Sequence, residues 1–219
     1  MKHLTISLSL ILFFLAALLP GTGPLKAQET VKIGKQVWMK ENLAVRSFRN
    51  GDSIPVAVDL AAWKNAVKTK TPAMCFYENN SISGEKYGVL YNWYAVNDPR
   101  GLAPAGWHVA SDSEWQTLVD FLGMDMIAGE KLKNKTGWKE NQLGNYNGTN
   151  SSGFTALPGG MRNYGGRFSQ EGTTGLWWSA TGSNETLAWL RSMSANTGKV
   201  VTRSSFPKTS ALSVRCVKD

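Results

Sequence analysis

Histidine and cysteine are the side chains here that most readily supply a catalytic base, a nucleophile or a metal ligand, and the chain has only two of each among its 219 residues. His3 and His108 stand far apart, whereas a zinc site draws several ligands together at short spacings. No Gly-x-Ser-x-Gly motif, phosphate loop or dinucleotide-binding glycine pattern occurs. The sequence therefore predicts no catalytic residue, no metal site and no cofactor. It favours a structural His108, hydrogen-bonded to the backbone.

The N-terminus has the pattern of a secretory signal. Lys2 provides a basic start, the run from Leu10 to Leu19 is wholly apolar, and Pro20 breaks it. The run is shorter than a helix needs to cross a bilayer. We predict a signal peptide over residues 1–27 with cleavage after Ala27, an extracytoplasmic location (periplasmic, secreted or cell surface) and no transmembrane segment in the mature chain. An uncleaved membrane anchor is the alternative.

Export bears on the two cysteines, Cys75 and Cys216. An even number of cysteines in an exported chain favours pairing, since the compartment is oxidising. A bridge between them would close a loop of about 140 residues and stabilise the fold by up to about 5 kcal/mol. We therefore predict a Cys75–Cys216 disulfide.

The charge balance limits the classes of partner. Without Lys2 and Lys26 the chain keeps 22 basic and 16 acidic residues, a net charge of +6. The lysines are scattered and lack the interleaved aromatic residues of a nucleic-acid module, so nucleic acid is not a predicted partner. The basic balance favours an anionic polysaccharide or the acidic surface of a cell envelope, or it is simply a solvated surface.

Several motifs, in order along the chain, carry a family resemblance. They are Ile33–Leu43, Tyr87–Ala95, Gly106–Trp115, Ser152–Gly160, Trp178–Thr181 and Ser213–Val217. Together they resemble the Fibrobacter succinogenes major paralogous domain, a bacterial extracytoplasmic family related to the formylglycine-generating-enzyme branch of the C-type-lectin fold. The resemblance runs from Val31 to the C-terminus. It implies one α+β, C-type-lectin-like domain over residues 28–219, rich in loops, with a short twisted antiparallel sheet and two or three helices.

The resemblance also suggests an enzymatic alternative. Formylglycine-generating enzymes oxidise a substrate thiol with copper and carry two reactive cysteines close together near the C-terminus. Only Cys216 lies there in this chain, so the prediction is a non-enzyme, with a thiol oxidase or a degenerate relative of one as the alternative. Family members often carry a further cysteine where this chain has Ala103, which leaves open whether Cys75 or Cys216 has lost its partner.

A binding face is expected in the glycine-rich segment 159–177. Trp177 and Trp178 are adjacent, so on a strand they point to opposite faces, and we place Trp178 inward and Trp177 outward. Arg162 offers a planar hydrogen-bonding fork, and Tyr164 and Trp177 offer surfaces on which sugars stack. These three residues predict a recognition site for a polysaccharide or an envelope protein. The alternative is that Tyr164 and Trp177 only cover the sheet while Arg162 pairs internally.

Local patterns predict the elements that position these residues. Ser111 and Glu114 fit a capping box at the start of a helix whose buried stripe includes Trp115 and which ends at Gly123. Weaker patterns predict a helix capped by Asp59, a helix over residues 126–134, one strand over residues 31–39 and a loop over residues 141–153. Asparagines of that loop resemble calcium ligands, but no carboxylate accompanies them, so no calcium site is predicted.

Overall fold

The computed structural model describes residues 28–140 and 147–219. The predicted signal peptide over residues 1–27 and its cleavage after Ala27 lie outside the described residues. The predicted loop over residues 141–153 lies partly outside them, and its described part, residues 147–153, forms neither helix nor strand, as predicted.

Twelve strands and five α-helices make up the described part of the chain. The helices are α1 (Leu60–Thr69), α2 (Ser81–Tyr87), α3 (Trp93–Val96), α4 (Asp112–Phe121) and α5 (Asp125–Leu132), and Tyr77–Asn79 forms a 3-10 turn. The strands are β1 (Thr30–Ile33), β2 (Gln36–Met39), β3 (Met74–Cys75), β4 (Leu90–Asn92), β5 (Trp107–Val109), β6 (Gly159–Arg162), β7 (Phe168–Glu171), β8 (Thr174–Gly182), β9 (Leu187–Ser194), β10 (Val201–Pro207), β11 (Ala211–Val214) and β12 (Cys216–Lys218).

The strands form two sheets rather than the one short sheet predicted. A four-stranded sheet has the order β1-β2-β12-β5, and an eight-stranded sheet has the order β10-β9-β8-β11-β4-β3, with β6 pairing β11 and β7. Neighbouring strands are antiparallel except β8 and β11, which are parallel. The α+β class is therefore confirmed, but the sheets are larger and the helices more numerous than predicted.

The first predicted strand is a hairpin, so the prediction of one strand over residues 31–39 is wrong. The chain reverses at Gly34 and Lys35, and β1 pairs antiparallel with β2 in the register Ile33↔Gln36. Gly34 has φ = 59°, a left-handed conformation that glycine adopts without steric cost. Apolar residues stand on both sides of the turn, which is why the alternation looked continuous.

Helix α4 confirms the strongest local prediction. The Ser111 hydroxyl accepts the Glu114 amide at 3.2 Å, and the Glu114 carboxylate accepts the Ser111 amide at 2.8 Å. Trp115 is fully buried on the inner face of the helix. Gly123, with φ = 105°, follows the last turn as predicted. Asp59 likewise caps α1, because its carboxylate accepts the Ala62 amide at 2.7 Å.

The eight-stranded sheet is covered on both faces. Trp178 and Leu190 belong to one apolar cluster, whereas Trp177 and Met193 belong to another that includes Trp115 of α4. Trp177 and Trp178 do point to opposite faces, but each is fully buried. The prediction of an outward Trp177 is wrong because α4 and the four-stranded sheet cover that face.

No helix in residues 28–140 or 147–219 has the length and apolar character needed to span a bilayer.

The capping box yields a stability prediction. Ser111→Ala removes the acceptor for the Glu114 amide and should lower the free energy of unfolding by about 1 kcal/mol. Thr117→Ala, on the exposed side of α4, is the matched control, because its hydroxyl only bonds back to the Ser113 carbonyl. Denaturant unfolding of both variants measures the difference. An equal loss in the two would contradict a specific role for the cap.

Candidate functional site

Arg162, the first residue of the predicted binding face, is buried. Its guanidinium donates to the carbonyls of Ala57 at 2.7 Å and Asp59 at 3.0 Å. The same group lies between the rings of Trp63 and Phe168, 4.7 and 4.8 Å from their centroids. The prediction that Arg162 presents its fork to a ligand is therefore wrong, since the fork joins the segment before α1 to the β6–β7 hairpin.

Tyr164 and Trp177 do not lie on a common surface. Tyr164 is 62% exposed in the β6–β7 turn, in agreement with its predicted exposure. Trp177 is fully buried on β8, where its indole N–H donates to the Asn42 side chain at 2.8 Å. The structure thus separates the three predicted ligand-binding residues, and only Tyr164 is accessible.

Cys75 and Cys216 are both free and buried, so the predicted disulfide is not formed. Cys75 belongs to the cluster around Trp63, and Cys216 to the separate cluster that contains Trp178. Burial raises the pKa of the Cys75 thiol to about 11 and that of the Cys216 thiol to about 12. Neither sulfur forms a reactive thiolate near neutral pH.

His108 is bound by two carboxylates, so the prediction of a backbone-bonded imidazole is wrong. Nδ1 lies 2.7 Å from Oδ1 of Asp219, and Nε2 lies 2.6 Å from Oε1 of Glu114. Partial burial lowers the pKa of His108, but the hydrogen bonds to Asp219 and Glu114 outweigh it and raise the pKa above its ordinary value of 6.5. The imidazolium therefore joins strand β5 to the capping-box residue of α4.

A cleft of about 270 Å³ opens beside the Asn42 network, lined in part by Tyr87, Thr155 and Arg215. At its rim Lys40 and Glu29 form an ion pair of 2.8 Å. The Arg215 guanidinium at its base donates to Asn42 and to backbone carbonyls, one of them that of Thr155. Lys40, Glu29 and Arg215 are thus engaged with one another or with neighbouring polar groups.

The surface with the most distinctive chemistry is one that the sequence analysis missed. Seven of the nine tryptophans are buried, and Trp189 is one of the two that remain partly accessible. The Arg203 guanidinium stacks on Trp189 with its carbon 3.4 Å from the ring centroid. Arg203 also donates hydrogen bonds to the Asp112 carboxylate, with Nε–Oδ2 and Nη2–Oδ2 distances of 3.0 and 2.8 Å. We call Trp189, Arg203, Asp112 and Arg191 the arginine shelf.

Arg191 holds the Asp112 carboxylate of the arginine shelf from its buried side. It is wholly buried and donates through Nη1 to the Asp112 carboxylate, and through Nη2 to Gln116 Oε1 at 3.1 Å. Burial raises the pKa of Asp112, but hydrogen bonds from Arg203 and Arg191 outweigh it and hold the pKa below its usual value. Asp112 is therefore an anion clamped between two cations, which fixes the position of Arg203.

An open polar groove adjoins the shelf. Its lining residues are Asp112, Ser113, Gln116, Thr117, Asp120 and Arg203. The Arg203 side chain is 39% exposed, and its Nη1 makes no hydrogen bond within the described residues. The groove thus combines carboxylates, an amide, hydroxyls and a flat guanidinium held rigidly on an aromatic ring.

Distance along the chain explains why the sequence did not reveal this shelf. Arg191 and Arg203 lie 79 and 91 positions from Asp112. They are opposite each other on β9 and β10, a register that only the folded sheet defines. The one available signal was the alternation along β9, which places Trp189 and Arg191 on the same face.

Residues 31–218 match the Fibrobacter succinogenes major domain in a comparison with protein families. The chain belongs to this family. No curated protein and no solved structure matches it. In this Fibrobacter succinogenes major domain, no group of three or more histidine, cysteine or acidic side chains is placed to hold a metal ion within the described residues.

The cysteines of this Fibrobacter succinogenes major domain yield a prediction about thiol accessibility. The unreduced native protein should not react with a chromogenic thiol reagent at pH 8, because both sulfurs are buried and protonated. After unfolding in guanidinium without reductant, both thiols should titrate. A denatured, unreduced protein without titratable thiols would instead show that Cys75 and Cys216 are paired.

The hydrogen bonds of His108 to Glu114 and Asp219 predict that the free energy of unfolding depends on pH. Because its pKa is raised on folding, its contribution is fully present below the unfolded pKa near 6.5 and is lost as the pH rises through the folded pKa. The stability gap between wild type and His108→Gln should therefore be largest below about pH 6.5 and should shrink as the pH rises above that value. Lys40→Gln, which breaks the ion pair with Glu29 and involves no histidine, serves as the control in denaturant unfolding. A gap independent of pH would contradict the imidazolium pairing.

Proposed function

We propose that this protein is a non-catalytic recognition protein of the cell envelope or surface, and that it binds a polysaccharide in the groove beside the arginine shelf. The observation that carries the proposal is the immobilised Arg203, stacked on Trp189 and clamped by Asp112. An arginine held in this way presents a planar donor to a ligand without losing side-chain entropy on binding.

The groove suits sugar hydroxyls in particular. Each hydroxyl both donates and accepts a hydrogen bond. Asp120 offers an acceptor, Arg203 offers a donor, and Gln116 is bonded to both Arg191 and Asp120. The flat guanidinium supplies a surface over which a sugar ring can lie. Tyr164, although exposed, does not line this groove and is not part of the proposed site.

The alternative function, a thiol oxidase of the formylglycine-generating type, needs an accessible pair of cysteines. Cys75 and Cys216 lie in different apolar clusters, and burial raises the pKa of both thiols. These facts favour binding over thiol oxidation. The export suggested by residues 1–27 and the resemblance to the C-type-lectin fold agree with recognition outside the cytoplasm, and both remain part of this proposal.

A glycan array followed by titration of the best ligand tests the proposed site. Arg203→Ala should weaken binding about tenfold or more, because it removes a charged hydrogen-bond donor and the stacked surface. Arg203→Lys should also weaken it, since lysine keeps the charge but lacks the planar fork.

Arg46→Ala is the matched control. Arg46 is exposed and also stacks on an aromatic ring, with its guanidinium carbon 5.1 Å from the centre of Phe76, but it lines no part of the groove. Its removal should leave affinity unchanged. Glycan binding that survives Arg203→Ala with the fold intact would place the site elsewhere. If the array yields no ligand while a protein binds through Arg203, the polysaccharide assignment is wrong.

A further inference from the structure

A turn at another edge of the molecule exposes an unusual amount of apolar surface. Phe121, Met124, Met126 and Ile127 are 64%, 69%, 68% and 46% exposed. All four lie within the seven residues that end α4 and begin α5, and we call residues 121–127 the apolar turn. Scattered exposed apolar residues are normal in proteins, whereas a contiguous group indicates a contact surface.

The backbone holds this turn in a costly conformation. Met124 has φ = 72° and ψ = 172°, a region that residues other than glycine rarely occupy. Its amide nonetheless donates to the Val119 carbonyl at 3.0 Å, and its carbonyl accepts the Ile127 and Ala128 amides at 3.0 Å. These bonds define the backbone of the turn, from which the four apolar side chains project into solvent.

Basic side chains flank the apolar turn. The Phe121 ring packs over Gly34 at the tip of the β1–β2 hairpin, which carries the exposed Lys32 and Lys35. On the other side, the Lys131 amine lies close to Gly123. Two acidic residues also occur here: Asp120, whose carboxylate accepts the Gln116 amide at 2.9 Å, and Asp125 in the first turn of α5. Three lysines against these two carboxylates leave the neighbourhood with a net charge of +1.

From this combination we infer that the apolar turn docks on the surface of a lipid bilayer that contains anionic headgroups. Phe121, Met124, Met126 and Ile127 enter the boundary between headgroups and acyl chains. Lys32, Lys35 and Lys131 lie at the level of the phosphates. Apolar side chains rimmed by lysines are the usual composition of an interfacial membrane contact.

The charge around the surface, rather than its size, favours a bilayer over a second copy of the chain. With about 200 Å² for a fully exposed side chain of this size, the four residues expose roughly 500 Å². A stable protein interface buries about 800 Å² from each partner, of which about 57% is apolar, so the area of the turn is compatible with either occupant. The lysines decide between them, because a two-fold dimer would bring like charges together, whereas anionic headgroups neutralise them.

A fluorophore placed on the apolar turn tests the inference. Met126→Cys is labelled with an environment-sensitive dye, and the buried Cys75 and Cys216 do not compete for the label. Vesicles of phosphatidylcholine and phosphatidylglycerol in a 3:1 ratio should shift the emission to the blue. Ile82→Cys, 71% exposed but outside the apolar turn, is the matched control and should show no shift.

Charge reversal and a change of lipid composition separate the electrostatic part of the membrane interaction from the apolar part. Lys32→Glu/Lys35→Glu should weaken vesicle binding about tenfold or more, and pure phosphatidylcholine should bind less well than the anionic mixture. Arg203→Ala should bind vesicles like the wild type, which keeps this test independent of the glycan site. The inference is overturned if no shift occurs, if Ile82→Cys shifts equally, if headgroup charge has no effect, or if sedimentation shows that the apolar turn joins two copies of the chain.

Discussion

The fold depends on one buried guanidinium at the point where the chain passes from one sheet to the other. Arg215 lies between β11 of the eight-stranded sheet and β12 of the four-stranded sheet. It donates to the Asn42 side chain at 2.7 Å and to the carbonyls of Met39 and Phe154 at 2.8 and 2.7 Å. Burial lowers its pKa to about 9, so it stays charged at neutral pH. A buried charge without these acceptors would be strongly destabilising, which ties both sheets to one geometry.

Asn42 extends this constraint to the rest of the core. Its side-chain oxygen accepts from Trp177 and Arg215, and its amide donates to the Tyr87 carbonyl at 2.8 Å. Three segments distant in sequence thus meet at one amide. The motifs that carry the family resemblance contain Asn42, Tyr87 and Arg215, so part of the resemblance reflects the hydrogen bonds that hold the core together. Motif residues in such a network are poor guides to a binding surface, because their polar groups are already used.

Sequence patterns were informative where the interaction is local. The capping box of α4 and the Asp59 cap of α1 each involve residues three positions apart, and both were predicted correctly. The predictions failed where the outcome depends on what covers a strand. The residues next to Trp177 in the sequence do not show that α4 covers its face of the sheet. The continuous apolar run through Leu176, Trp177 and Trp178 was the one indication of burial, because such a run is typical of a strand buried on both faces. Arg162 and the arginine shelf depended in the same way on partners far along the chain.

The location of the cations also changes what the composition implies. The formal net charge of +8 suggests a strongly basic surface, yet Lys133, Arg162, Arg191 and Arg215 are buried. Three of them, all but Arg191, satisfy their donors largely with backbone carbonyls, and Arg191 shares the Asp112 carboxylate with Arg203. The buried cations of this domain therefore mainly connect segments of the chain that are not paired with each other in a sheet. A cation suited to the proposed surface recognition must be both exposed and held in place, and Arg203 meets both conditions because a buried arginine fixes the carboxylate that holds it.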